Sequence, residues 1–199
     1  MSLDTGPLAT AGLLVAPDVW TPAFCARVRA AMDAAMDAGE AHAAEILEAP
    51  TSIDVDQAVR RALDVTVPDA LMDAVVDALA ACRPRLEAHF GVTLPRSDGV
   101  GLVRYLAGGR YRRHRDRDDA YPETSHRRVS AIVWLSAGSA PEGAPADFDG
   151  GALRVWDASG SASDLIPRTG MLVAFPSHWS HEVLPVTRGI RDAVVDWLG

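Results

Sequence analysis

The sequence predicts an α+β, mainly β fold in which helices of the N-terminal half pack on a β-sandwich or β-barrel of the C-terminal half. The first observation is a change of composition near residues 95–99, where Ala-rich helical spacing gives way to β-branched runs. The second is a series of short strands separated by Gly, Pro and Ser clusters, which is typical of sandwiches and barrels. The length of 199 residues suits one domain. We therefore expect a single domain, 1–199, with 1–99 as helical support and 100–199 as the β core.

The first predicted helix runs from about 22 to 38. Thr21 offers an N-cap hydroxyl, Pro22 suits the first helical position, and Gly39 is a suitable stop. Apolar residues recur at helical spacing between them. This segment is the clearest helix in the chain.

A second helical stretch follows Thr66-Val-Pro68-Asp69 and ends at Gly91. Pro84 lies inside its apolar pattern and predicts a kink or two helices that meet there, because proline breaks the helical hydrogen bonding. The stretch from 40 to 66 is ambiguous. Within it, Glu45–Ala49 fits a helical turn, and Ile53–Arg61 fits a short helix or a loop.

The C-terminal half is predicted to form strands joined by turns and two long polar loops, 117–126 and 136–149. Strands of β-branched and aromatic residues end at Gly, Pro and Ser clusters throughout this half. The predicted strands are 100–106, 111–115, 127–135, 150–156, 170–175, 181–185 and 191–198.

Composition excludes several classes of protein. The net charge of −8 argues against a dedicated nucleic-acid binder, whose affinity comes mainly from cations. No apolar run is long enough to cross a bilayer, and the short apolar piece Gly12–Ala16 is not a signal-peptide core, so we expect no membrane partner and a cytoplasmic protein.

All 19 basic residues are arginine, which removes Schiff-base lysines and the Walker A loop. Cys25 and Cys82 are too few for a disulfide framework or a four-sulfur zinc site.

His114 and Asp116 are the first candidate functional residues. They stand two apart at the end of a predicted strand, so both side chains point to one face. With a second histidine they form the two-histidine, one-carboxylate set that suits Fe(II) and leaves metal positions open. His-x-Asp alone is weak evidence, since a solvated charged loop also explains it.

His181 is the candidate for the second histidine, because it opens the strand that leads to Arg191 ten residues later. An arginine fork binds a carboxylate with two hydrogen bonds. A cosubstrate with a metal-chelating end and a carboxylate end would bridge the metal and Arg191.

Five motifs in order resemble the Fe(II)/2-oxoglutarate-dependent dioxygenases of the prolyl 4-hydroxylase type, over about residues 100–199. The motifs are Tyr105…Tyr111-x-x-His114-x-Asp116, Arg127-x-Val-Ser-x-Ile-x-Trp-Leu135, Phe148-x-Gly150-Gly-x-Leu153, Pro167-x-x-Gly-x-x-x-x-Phe175-Pro and His181-Glu-Val-x-Pro185-Val-x-x-Gly-x-Arg191…Trp197. Each is weak alone, and together they are specific.

The resemblance implies a double-stranded β-helix, or jelly roll, with His114, Asp116 and His181 as catalytic iron ligands. It implies Arg191 as the partner of the far carboxylate of 2-oxoglutarate, and Tyr105 as a further cosubstrate contact. Trp134 occupies a strand position where the family often has tyrosine, and its indole can only donate a hydrogen bond. Thr169 and Ser130 are minor candidates for the same pocket.

The implied activity is hydroxylation of an unactivated C–H bond, coupled to decarboxylation of 2-oxoglutarate to succinate and CO2. Fe(II), 2-oxoglutarate and O2 are the implied cofactors and cosubstrates, and ascorbate is a candidate reductant. The substrate is a peptidyl residue such as proline, or alternatively an amino acid or metabolite. A metal-binding sensor module on the same fold is a third alternative. The loops 117–126 and 136–149 are candidate lids.

Other polar residues compete for these roles. His178 lies three residues before His181 but in a turn, so His181 is preferred as the ligand. His126 is expected to be a solvated loop residue, and Arg115 and Arg117 are expected to face away from the metal because side chains alternate along a strand. Trp156, Trp179 and Trp197 are expected to be packing residues, and His42 and His89 to be ordinary surface residues.

Overall fold

A computed structural model describes residues 12–49, 52–118, 120–139 and 145–199 of the chain. The elements, in chain order, are β1 (Leu14–Ala16), α1 (Pro22–Ala38), β2 (Ala41–Ala43), β3 (Ile46–Ala49), β4 (Ser52–Asp54), β5 (Arg60–Arg61), β6 (Leu63–Val65), α2 (Asp69–Ala80), α3 (Arg83–Phe90), β7 (Gly101–Tyr105), β8 (Arg110–His114), a 3₁₀ turn (Pro122–Thr124), β9 (Val129–Trp134), β10 (Phe148–Gly150), β11 (Leu153–Trp156), β12 (Ala162–Leu165), β13 (Leu172–Pro176), β14 (His181–Val183), β15 (Val186–Gly189) and β16 (Arg191–Leu198). Among the helices of these ranges, none is long and apolar enough to span a membrane.

The first helix begins and ends at the residues that the sequence predicted. The Thr21 hydroxyl accepts the Phe24 N–H at 3.2 Å, and Gly39 closes the helix in the left-handed conformation with φ of 75°. The second helical stretch is two helices, which confirms one of the two outcomes expected from Pro84. That proline lies in the first turn of α3, where its missing N–H costs nothing.

Two antiparallel sheets form the β structure. The larger sheet has the strand order β1-β13-β9-β16-β7-β6-β2, and the smaller sheet has the order β12-β11-β14-β8-β5. The pairs β10-β15 and β3-β4 form separate two-stranded ribbons. The fold is therefore mostly β, as predicted.

The larger sheet carries an apolar core on each of its faces. Along β9, Val129, Ala131 and Val133 pack into one core with the helices, whereas Ile132 and Trp134 pack into a second core. This second core also contains Leu153, Val155 and Val183 of the smaller sheet, so it lies between the sheets. Side chains alternate across a strand, which is why one apolar strand can serve two cores.

The N-terminal half contributes more strand than predicted. The expected helical turn at Glu45–Ala49 is wrong, because Ile46–Ala49 is a strand paired with Ser52–Asp54. Residues 53–61, expected to form a short helix or a loop, are the end of β4, a loop with a turn over 55–59, and then β5. These segments pair with distant strands or with each other, so their local propensity did not decide their structure.

Candidate metal centre and cosubstrate pocket

A β-bulge in β8 brings Tyr111 and His114 to the same side of the smaller sheet. His114 pairs with His181 and Tyr111 pairs with Val183, so the register shifts between these two pairs. Three steps along β8 therefore match two steps along β14, which is the signature of a bulge. The two rings stack with centroids 3.5 Å apart. Strict alternation would have put these residues on opposite faces.

The structure brings His114, Asp116 and His181 together, with one ligand atom from each lying within 4.8 Å of the others. The distance from His114 Nε2 to Asp116 Oδ1 is 3.6 Å, and that from His181 Nε2 to Asp116 Oδ2 is 3.3 Å. They are the one such group of three found among the described residues. His178 does not belong to it.

Both histidine rings are oriented by their other nitrogen. His114 Nδ1 lies 2.8 Å from the Arg112 carbonyl oxygen, and His181 Nδ1 lies 3.2 Å from that of Trp179. A carbonyl only accepts, so each Nδ1 carries the proton and each Nε2 lone pair faces Asp116. This is the tautomer that a metal-ligating histidine requires.

The charges of the cluster also suit a cation. Burial lowers the pKa of His181 to about 4, so its imidazole is neutral near pH 7. Burial would raise the pKa of Asp116, but His181, His114 and the Ser130 hydroxyl outweigh burial and hold that pKa well below its usual range. Two imidazoles and one carboxylate at convergent positions fit Fe(II).

Arg191 lies in an inner cavity of about 50 Å³ that the metal cluster also lines. The residue is 1% exposed, its Nε donates to the Gly151 carbonyl at 3.0 Å, and its guanidinium carbon lies 4.9 Å from the Tyr105 ring centre. Its Nη2 has no hydrogen-bond partner among the described residues, and burial lowers the pKa of the guanidinium. A buried donor without a partner beside a cavity fits a carboxylate ligand.

Two glycines of the sequence motifs lie where a side chain would not fit, and one of them, Gly151, makes room for this arginine. Gly151 has φ of 62°, and a Cβ on it would lie 3.1 Å from Arg191 Cδ and 3.0 Å from Phe148 and Val186 carbons. Gly189 has φ of 78°, and its Cβ would lie 2.1 Å from the Asp147 carbonyl oxygen. Side chains at either position would displace the turn or the arginine.

An outer cleft of about 370 Å³ opens onto the same cluster. Arg60, Tyr111, His114, Asp116 and Trp197 line both the inner cavity and the cleft, so they form the junction between them. Loop 117–126 forms part of the cleft wall, with its lining residues being Asp118, Tyr121, Glu123 and Thr124. Described residues of loop 136–149 are not among the lining residues.

Arg60 was not predicted as a site residue, because it lies in the stretch 40–66, whose secondary structure was ambiguous from the sequence. Its Nη1 donates to the Glu45 carbonyl at 2.8 Å, and its guanidinium carbon lies 5.1 Å from the Tyr111 ring centre. In β5 it pairs with Tyr111 of β8. No local signal distinguishes Arg60 from Arg61, because this pairing joins residues about fifty positions apart in the chain.

Other predicted residues occupy different places. Trp134 is fully buried between the sheets, its Nε1 has no partner among the described residues, and it is absent from the cavity lining, so its cosubstrate role stays a prediction. Ser130 lines the inner cavity and contacts Asp116, whereas Thr169 does not line it.

Three residues that flank the metal cluster were expected to be solvated or to face away from it. His126 pairs with Asp98 and is not a freely solvated loop residue. Arg115 lines the cleft, against the expectation that it faces away, while Arg117 does not.

The chain is similar to known proteins over most of its length. Residues 100–199 match the family model of the 2OG-Fe(II) oxygenase superfamily, where 2OG is 2-oxoglutarate. A PKHD-type hydroxylase of Xanthomonas campestris pv. campestris strain B100 is 31% identical over 94% of this chain and 78% of its own length.

Solved structures agree with these sequence matches. A Pseudomonas putida prolyl-4-hydroxylase superposes with a TM-score of 0.76 at 28% identity, covering 98% of this chain and 96% of the other. A Trichoplax adhaerens prolyl hydroxylase, in complex with a hypoxia inducible factor peptide fragment, shares the fold, with a TM-score of 0.77 at 16% identity over 98% of this chain and 87% of the other.

Proposed function

We propose that this chain, which belongs to the 2OG-Fe(II) oxygenase superfamily and is an iron-dependent dioxygenase, hydroxylates an unactivated C–H bond of a peptidyl residue, with proline as the first candidate. One observation carries the proposal. The His114–Asp116–His181 cluster lines one inner cavity together with Arg191, whose Nη2 has no hydrogen-bond partner among the described residues. We further propose that the two sheets form a double-stranded β-helix within one domain, 1–199.

The chain's own residues divide the work. His114, Asp116 and His181 would hold Fe(II), and Arg191 would bind the far carboxylate of 2-oxoglutarate. The Tyr105 ring packs against the Arg191 guanidinium and keeps it aimed into the cavity. When bound, iron and 2-oxoglutarate would let O2 act as the oxidant, with one oxygen atom going to the substrate C–H bond and the other to succinate, and with release of CO2.

The outer cleft is the proposed substrate site. It meets the metal cluster through the residues that both cavities share, so a substrate bond placed at this junction lies next to the iron ligands. The cleft wall carries charges of both signs, including Arg115, Arg127, Glu45 and Glu123. Such a wall suits a polypeptide with polar groups on both sides of the reacting residue.

An anaerobic titration with Fe(II) and then 2-oxoglutarate tests the cofactor site. We expect a visible charge-transfer band that needs both additions, is lost in His181→Ala and remains in His178→Ala. Equal loss in both variants would contradict the ligand assignment. An absent band in the folded wild-type protein would refute the proposed function.

The substrate class is tested by succinate release. We expect short proline-containing peptides to raise succinate release above the rate without substrate, and free proline to leave it at that rate. Stimulation by free proline alone would assign the enzyme to small-molecule hydroxylation instead. Mass spectrometry of the peptide, which should gain one oxygen atom, is the control for uncoupled turnover.

A further inference from the structure

The Asp116 carboxylate contacts the buried hydroxyl of Ser130, which in turn contacts the buried hydroxyl of Ser177. Ser130 Oγ lies 2.6 Å from Asp116 Oδ2, and Ser177 Oγ lies 3.0 Å from Ser130 Oγ. Ser130 is 2% exposed and Ser177 is 0% exposed. A buried hydroxyl costs free energy unless it is hydrogen-bonded, so these contacts decide how both side chains are oriented.

The chemistry of the three groups fixes the direction of the bonds. A carboxylate that binds a cation carries no proton and can only accept, so Ser130 donates to Asp116. A hydroxyl has one proton, so Ser177 must be the donor to Ser130. The order of donation is therefore Ser177, Ser130, Asp116.

Ser177 also holds the main chain of Asp116. Its carbonyl accepts the N–H groups of Asp116 at 3.1 Å and Arg117 at 2.9 Å, and its own N–H donates to the Arg128 carbonyl at 3.0 Å. Ser177 lies in the turn between β13 and His181. One residue thus joins the segments that carry two of the three proposed ligands.

Ser130 is otherwise out of place in its strand. On the same face of β9, Ile132 and Trp134 are buried in the apolar core between the sheets. The hydroxyl of Ser130 has no hydrogen-bond partner among the described residues other than Ser177 and Asp116. An apolar side chain would suit this core better than serine does. The hydrogen bond to the Asp116 carboxylate therefore explains the hydroxyl at this position.

We propose that Ser130 and Ser177 are positioning residues that preset the Asp116 carboxylate for metal binding. Ser130 occupies one lone pair of Oδ2 and prevents the carboxylate from rotating, so Asp116 presents a fixed oxygen to the cation. The inference rests on the proposed function, since it takes Asp116 as a ligand. Groups that orient a ligand in this way typically change metal affinity ten- to about a hundredfold when removed.

The test compares Ser130→Ala with Ser136→Ala, a matched control. Ser136 is also fully buried, but its hydroxyl bonds to the main chain of Asp192, outside the metal cluster. Mn(II) affinity is measured by calorimetry, and the visible spectrum of the Co(II)-loaded protein reports ligand geometry without any turnover. Thermal unfolding without metal checks that each variant is folded.

We expect Ser130→Ala to weaken Mn(II) binding by about tenfold or more and to alter the Co(II) spectrum. Ser130→Thr, which keeps the hydroxyl, should restore both, and Ser136→Ala should match the wild type. Wild-type Mn(II) affinity and Co(II) spectrum in folded Ser130→Ala would overturn the inference.

If Ser130→Ala does not fold, a second variant tests the proposal. Ser177→Ala leaves Ser130 in place and removes only its donor, so we expect a smaller but measurable loss of Mn(II) affinity. Unchanged affinity in Ser177→Ala would remove that residue from the proposal. A wild-type protein that binds neither Mn(II) nor Fe(II) would refute the proposed function itself, which is a different outcome.

Discussion

Replacing Arg191 by methionine is expected to separate cosubstrate binding from folding stability. Methionine keeps much of the side-chain length and removes the charge. In the ligand-free protein Arg191 donates a hydrogen bond to the Gly151 carbonyl, and no carboxylate of the described residues lies within ion-pair distance of it. Its nearest acidic neighbour in the chain, Asp192, is paired with Arg104 at 2.7 Å on the other side of the strand.

The substitution is expected to lower the affinity for 2-oxoglutarate without lowering the folding stability of the ligand-free protein. A lost charge-assisted hydrogen bond to a bound carboxylate costs about 1.5–3 kcal/mol, which is about a ten- to 150-fold weaker affinity for 2-oxoglutarate. In the ligand-free protein, removing a buried charge without a counter-ion relieves a desolvation penalty that offsets the lost Gly151 hydrogen bond. We therefore expect Arg191→Met to melt at or above the wild-type temperature while losing cosubstrate affinity.

The assay is calorimetric titration of the Mn(II)-loaded protein with 2-oxoglutarate, together with thermal unfolding of the metal-free protein. Arg188→Met is the matched control, because Arg188 lies on the preceding strand with its side chain 65% exposed. That control should bind 2-oxoglutarate like the wild type. Unchanged affinity in Arg191→Met would refute the cosubstrate role, and a large fall in its melting temperature would refute the argument about the uncompensated charge.

Two further predictions concern the support of the site. Gly151→Ala should raise the dissociation constant of 2-oxoglutarate, because the added Cβ crowds Arg191 Cδ and the left-handed backbone costs about 1–2 kcal/mol; calorimetry showing wild-type affinity would contradict this. Burial raises the pKa of Asp98, but hydrogen bonds from Arg127 and His126 outweigh it and hold that pKa below its usual range. The ion pair therefore stabilises the fold above the unfolded-state pKa of about 4, and this contribution is lost as the pH falls through the lower folded-state pKa. Urea unfolding of Asp98→Asn should show less loss of stability between neutral and acid pH than the wild type does; an unchanged profile would mean that the pair is not stabilising.

Much of the candidate site is encoded by short distances along the chain. His114 and Asp116 are two residues apart, and Arg191 follows His181 on the next long strand, so residue type and spacing made them candidates and the order of the five motifs supported the choice. The helix boundaries at Thr21 and Gly39 were also predictable, because capping depends on hydrogen bonds within one turn. These features depend on local geometry.

The remaining features depend on contacts between distant segments. Arg60 reaches the junction of the cavities only because β5 pairs with β8, and Ser177 reaches Ser130 only because the turn after β13 packs beside β9. Of the strands in residues 40–66, β3 and β4 pair with each other, whereas β5 and β6 are stabilised by β8 and β7, which lie far away in the chain.

The bulge in β8 is a feature that local spacing does not predict and that a distant strand decides. From the sequence, Tyr111 and His114 stand three apart and should face opposite sides of a regular strand. The extra residue is accommodated because β14 pairs with both of them, which puts the tyrosine ring against the proposed ligand. The sequence by itself determined the types and spacing of the residues that are predicted to bind iron and 2-oxoglutarate. The tertiary structure alone decided which side chains support them, because strand register and the packing of serines, arginines and aromatic rings are set by partners far away in the chain.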